Sequence, residues 1–114
     1  MIKPEQLKEV NNRIDAIEEY LKIKEKKMQL AEEELKTQDP GFWDDPKKAE
    51  IQMKAIRSLK YWVATFDTLK SSYEDLEVLN DFAKDGDGDD AELKEHYNTL
   101  LEEVDALELK NMGI

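Results

Sequence analysis

Three groups of side chains in this sequence have the types and spacing to do chemistry. The first is Asp85, Asp87 and Asp89, alternating within Asp85-Gly86-Asp87-Gly88-Asp89-Asp90 like the first three ligands of a calcium-binding loop. The template fails further on: the glycine required at its sixth position is Asp90, and the bidentate Glu required at its twelfth is His96. Without that closing carboxylate the run reads as a solvated polar turn. His96 is the only histidine, there is no cysteine, and no Ser and His stand at the spacing of a nucleophile and its base. An edge position on an amphipathic helix is therefore expected for His96, and nothing supports a metal, a cofactor, a small-molecule substrate or acid–base catalysis.

The second group is cationic. Lys47, Lys54, Arg57 and Lys60 follow one another at steps of seven, three and three residues, which on a helix brings them near one face, a spacing suited to meeting a row of phosphates. Lys47 lies in the first helical turn, where the helix dipole disfavours cations, so local stability does not choose it. Against this, Glu50 stands four residues before Lys54, and a solvated or ion-paired face is the plainer use of such residues. The third group is aromatic: Phe42 and Trp43 stand between Pro40 and Pro46, either as an exposed docking pair or as a plug. The area two buried aromatics remove from water favours the plug.

Long helices must position these groups. Apolar residues recur at Leu7, Val10, Ile14, Ile17, Leu21, Met28, Ala31 and Leu35, with Lys24 in the one missing slot, a heptad stripe that predicts one helix over about 4–37. Pro40-Gly41 supplies a turn, Asp45 can cap a second helix with Pro46 at its first position, and a stripe from Ala49 through Met53, Ile56, Leu59, Val63, Phe66, Leu69, Tyr73 and Leu76 to Phe82 or Ala83 predicts a helix over about 46–84. A three-residue step from Phe66 to Leu69 shifts that seam sideways. Beyond the Asp/Gly turn, Asp89 and Glu92 resemble a capping box, and Leu93, Tyr97, Leu100, Val104 and Leu107 predict a third helix over about 90–110. The expected fold is all-α: residues 1–114 form a single domain, an antiparallel three-helix bundle or coiled-coil-like hairpin with a long central helix. The third helix is too short to cover more than one half of the second, so the end bearing Phe42 and Trp43 should be a thinner two-helix arm.

Composition agrees. Charged residues make up 39% and the hydrophobic set 39% of 114 residues, as long solvated helices require. No run approaches the roughly 18 apolar residues of a membrane span, and the lack of cysteine permits a reducing, cytoplasmic setting. The net charge of −11 disfavours bare nucleic acid, yet it is uneven: residues 1–45 carry −4, 46–70 carry +4 and 71–114 carry −11. Only the segment holding the four cations is basic.

The string Asp39-Pro40-Gly41-Phe42-Trp43-Asp44-Asp45-Pro46-Lys47-Lys48-Ala49, between one heptad helix and a longer one, resembles the N-terminal helical domain of the bacterial class-I peptide chain release factors. Ala106-Leu107-Glu108-Leu109-Lys110-Asn111-Met112 resembles the segment preceding that family's next domain, whereas Gly113-Ile114 departs from the pattern. The family's Gly-Gly-Gln hydrolytic loop has no counterpart, since no two glycines here are adjacent, and no proline follows a serine as in the Ser-Pro-Phe codon-reading tripeptide. The resemblance implies a fragment of a longer factor that docks on the ribosome. Its implied partners are the base of the large-subunit stalk, with ribosomal protein L11 and its rRNA, and indirectly the recycling GTPase of termination. The rival expectation from the heptads alone is a self-associating structural hairpin.

Overall fold

A computed structural model describes residues 1–112, with side chains as far as Lys110; Gly113 and Ile114 lie outside the described residues. The helices are α1 (Pro4–Tyr20), α2 (Ile23–Lys36), α3 (Pro46–Lys84) and α4 (Asp90–Met112), with a 3-10 turn over Pro40–Asp44, and the described residues include no strand. The all-α expectation holds. The molecule measures 61 × 30 × 19 Å, a rod laid along α3.

The single helix predicted over 4–37 is broken. Lys22 adopts the left-handed conformation, φ 53° and ψ 49°, between α1 and α2. The cause lies on either side of it: Leu21 and Ile23 are both buried, at 8% and 0% exposure. Residues two apart on a helix point about 200° away from each other, so one unbroken helix buries only one of them. A left-handed residue with a Cβ costs about 1–2 kcal/mol, whereas burying a side chain the size of Ile gains about 1.5–3 kcal/mol, so the break wins. The Lys26 ammonium donates to the Leu21 carbonyl oxygen that the break exposes.

The break also turns the following helix about its axis. Met28 and Leu35, expected in the seam, are each 68% exposed, and Ala31 is exposed with them. The less exposed residues of α2 are instead Ile23, Lys26, Leu30 and Glu33, and Glu33 accepts a hydrogen bond from the Gln52 side chain of α3.

α3 begins as its sequence dictates. The Asp45 carboxylate accepts the backbone N–H of Lys48 at 3.2 Å, and Pro46 takes the first position. Ala49, Ile56 and Leu59 face α2, while beyond the short step Phe66, Leu69, Tyr73 and Leu76 turn between α1 and α4. Of the two residues expected to end that stripe, Phe82 is 50% exposed and Ala83 packs against the core. α3 ends at Gly86, whose φ of 78° is left-handed. One end of the rod is thus a three-helix bundle and the other an α2–α3 arm.

Two polar clamps close the bundle. Asn80, only 1% exposed, accepts the Ile2 N–H at 2.9 Å and donates to the Ile2 carbonyl at 3.3 Å, holding the N-terminal segment against α3. Arg13 on α1 spans to α4, donating from Nε to Glu108 at 3.0 Å and from Nη2 to Glu108 at 2.5 Å and Asp105 at 2.6 Å. Those bonds, to Glu108 first, raise its already high pKa further, keeping it charged throughout. Tyr73 lies under α1, 3.5 Å from the Leu7 carbonyl, and burial raises its phenol pKa.

The break makes a prediction with a sign. Lys22→Gly relieves the left-handed strain and should raise the melting temperature by a few degrees, about 1 kcal/mol; in a continuous helix the same change would lower it by a similar amount. Thermal unfolding followed by far-UV circular dichroism distinguishes them.

Candidate functional site

The four cations all project from the N-terminal half of α3, and all are exposed. They do not form one face. At about 100° per residue, Lys47, Lys54 and Arg57 fall within roughly 80° of arc, while Lys60 lies about 140° round the axis from Lys47. Lys60 leans to α2, its Nζ 3.4 Å from Glu34 Oε2, and so helps hold the arm together. Lys27 and Asp67 make a parallel cross-link at 3.1 Å on the same flank. On the outer surface Lys54 stands at the 4.0 Å limit of a contact with Glu50, as its four-residue spacing suggested, and Lys47 and Arg57 have no ion pair among the described residues. Exposed pairs of this kind hold a side chain weakly, so three cations stay available on that surface. Ile51, 70% exposed, sits among them. The sequence signal for it was present: it is an apolar residue at an outward slot of the stripe.

The aromatic pair is placed otherwise than expected. Asp39 caps the 3-10 turn, its Oδ1 accepting the Gly41 N–H at 2.9 Å, while Asp45 caps α3 at the other side. Phe42 is half-buried at the end of the arm; Trp43 is 58% exposed. Their rings meet edge to face, with centroids 4.6 Å apart and planes at 83°. Consecutive residues of a 3-10 turn point about 120° apart, so a turn clamped at both ends cannot fold both rings inward. The double plug is therefore incorrect: Phe42 fills the end, and Trp43 stands outside as a knob.

The remaining candidates stay where their chemistry left them. His96 is half-buried at the α3–α4 edge, its Nε2 3.0 Å from the Ser72 carbonyl oxygen. Asp85, Asp87 and Asp89 are exposed, Asp89 accepting the Ala91 N–H at 2.9 Å as a cap. Among the described residues, no group of three His, Cys, Asp or Glu side chains is arranged to hold a metal, and no helix is long and apolar enough to cross a membrane. Where α4 ends on α3, Lys110 donates to the Tyr61 hydroxyl at 2.6 Å, and this bond lowers the phenol pKa. The arm therefore offers a short row of cations and one exposed indole, a surface that can bind but holds no assembled reactive group.

The PCRF domain family matches residues 24–113, which takes in α2, the turn, α3 and α4. Among curated proteins, the chain is 32% identical over 104 residues to peptide chain release factor 2 of Aeromonas salmonicida (strain A449), covering 91% of this chain and 27% of that protein. It is 33% identical over 104 residues to peptide chain release factor 2 of Tolumonas auensis, with the same 91% and 27% coverage, and 29% identical over 107 residues to that of Corynebacterium glutamicum (strain R), covering 94% and 29%. The chain thus spans a little over a quarter of the length of these relatives. With a helical arm, an intact Asp-Pro-Gly-Phe-Trp-Asp-Asp-Pro turn and a family match across most of its length, this chain belongs to the PCRF domain family, whose members include the peptide chain release factor 2 proteins it resembles.

Proposed function

We propose that this chain is the ribosome-docking domain of a translation termination factor, and that it meets the base of the large-subunit stalk, where ribosomal protein L11 and its rRNA lie. The observation that carries the reading is the coincidence of the family match with three outward cations, Lys47, Lys54 and Arg57, on the one basic segment of an acidic chain. Phosphate repels the acidic bundle, so the arm is the part that approaches RNA and the bundle is held away from it. Lys60 serves the α2–α3 contact rather than the ribosome. Coupling to the recycling GTPase of termination is indirect in this reading, through the position the docked domain gives to the rest of a longer factor.

The chain supplies docking without chemistry. Neither the adjacent glycines of a hydrolytic loop nor a Ser-Pro pair occurs in it, so codon reading and peptidyl-tRNA hydrolysis belong to other parts of the longer relatives. A second reading, self-association, is favoured by one observation: Met28 and Leu35 lie exposed seven residues apart on the outer face of α2. The charge of −11 opposes it by mutual repulsion.

Two outcomes are expected. The purified chain releases no peptide from a ribosome stalled at a stop codon, at any concentration; codon-dependent release would overturn a docking role. In cosedimentation with large ribosomal subunits over a salt series, replacing Lys47, Lys54 and Arg57 together with Glu weakens binding and flattens its logarithmic salt dependence by roughly two to three units, about one for each phosphate the chain no longer meets. Lys60→Glu alone leaves that slope unchanged and lowers stability slightly. A slope that survives the triple reversal removes the phosphate contact, and sedimentation of the free chain as a dimer would favour self-association instead.

A further inference from the structure

The residues around the junction of α1 and α2 suit a helix that does not stop there. No Pro or Gly occurs between Pro4 and Pro40, and Lys22, the residue at the bend, gives α2 no side-chain cap. The charges beside the bend are inverted. Glu18 and Glu19 fall in the last turn of α1, which holds no basic residue, and α2 opens with Lys24 and Lys26 against Glu25. Helix dipoles disfavour anions at the first kind of end and cations at the second, so the bend is opposed by its own charges. In an unbroken helix those ends vanish, and Glu18 stands four residues before Lys22, the favourable order for an ion pair on one face. The left-handed strain at Lys22 vanishes with them. The apolar residues point the same way: Met28 and Leu35, both 68% exposed, stand seven and fourteen residues after the buried Leu21, at its own heptad position in a straight helix.

We propose that Lys22 is a hinge through which two copies of this chain exchange α1, each straightened α1–α2 helix laying its first half against α3 and α4 of the other copy. α1 and the residues before it are held by those two helices: Ile2 on Asn80, Arg13 on Glu108 and Asp105, and Val10, Ile14 and Ile17 in the core. A second copy presents the same surface, so exchange re-forms each of these contacts. In the single chain the joint burial of Leu21 and Ile23 holds the bend. In the pair the two straight helices cross antiparallel at their hinges, where each covers the Leu21 and Met28 of the other. Charge favours that crossing. Asp15, Glu18 and Glu19 precede the hinge and Lys24 and Lys26 follow it, so the acidic turns of each copy meet the lysines of the other. The charge of −11 on each chain opposes association at long range, which places the exchange at high concentration and moderate salt. Exchange goes beyond docking and is independent of it, since Lys47, Lys54 and Arg57 lie on α3, outside the exchanged element.

Charge reversal across the Arg13 clamp tests the exchange. The Arg13→Glu chain and the Glu108→Arg chain each set like charges against one another within a single copy. Mixed in equal amounts, they are expected to sediment as a one-to-one dimer that melts several degrees above either chain alone, because exchange pairs opposite charges at both clamps. Association through outer surfaces cannot mend a clamp inside each copy, so a mixture that melts as two separate chains overturns the proposal. A second variant leaves the clamps untouched. Lys22→Gly relieves the left-handed strain and weakens a helix through the hinge, so its dimerisation constant in a concentration series should fall about tenfold or more. Dimerisation of the Lys22→Gly chain at the strength of the unsubstituted one overturns the proposal, as does an unsubstituted chain that stays monomeric up to the millimolar range in moderate salt.

Discussion

The structure depends on keeping one helix of 39 residues covered along a seam that changes direction part-way. Before Phe66 the apolar side of α3 faces α2; after Leu69 it faces the gap between α1 and α4. A straight partner helix cannot follow such a turn. The left-handed Lys22 supplies the matching irregularity, and Lys27, five residues past it, bonds to Asp67 inside the Phe66–Leu69 step, so the two departures from regularity face each other. The cost of the left-handed residue is offset by burial of Leu21 and Ile23 together, and the rotation of α2 that follows brings Glu34 to Lys60. Arm and bundle are consequences of this one accommodation.

Much of this was readable in the residues because it depends on local rules. Asp45 before Pro46 set the start of α3, Gly86 its end, and the spacing from Leu93 to Leu107 gave α4, since caps, prolines and heptads act over a few residues. The break at Lys22 escaped because lysine is an ordinary helix former. Its signal lay in its neighbours, two large apolar residues separated by one polar residue inside a helical stripe, a spacing that no single helix face can satisfy. Asn80 escaped for a similar reason: a polar residue at a seam position looks like a gap until its partner, the backbone of Ile2, is brought from 78 residues away.

The candidate site divides in the same way. The cations could be found by type and spacing, but steps of seven, three and three carry Lys60 about 140° round the axis from Lys47, so the four could not share one face, and the structure shows that the side Lys60 turns to meets Glu34. For the aromatic pair, area favours burial, but a short turn clamped by Asp39 and Asp45 has room for one ring inside, so geometry overrules the gain for Trp43. Fold and site thus depart from the sequence pattern at the same kind of point, where a long-range rotation or a tight local constraint decides among side chains of equal hydrophobicity.

The clamps on the bundle have a mechanical consequence. Ile2 is tied to Asn80 and Arg13 to Glu108 and Asp105, so α1, α3 and α4 are fastened together, and Lys110 ties the end of α4 to Tyr61; beyond Tyr61 the side-chain bonds run only between α2 and α3. From Tyr61 to Pro46 the paired helices extend about 22 Å as a lever. Tilting the base by about 10° would sweep the tip through about 4 Å, most of one helical turn. A small reorientation at the fastened end is therefore amplified at Trp43 into a displacement comparable to the size of a side chain, and the rod converts angle into distance.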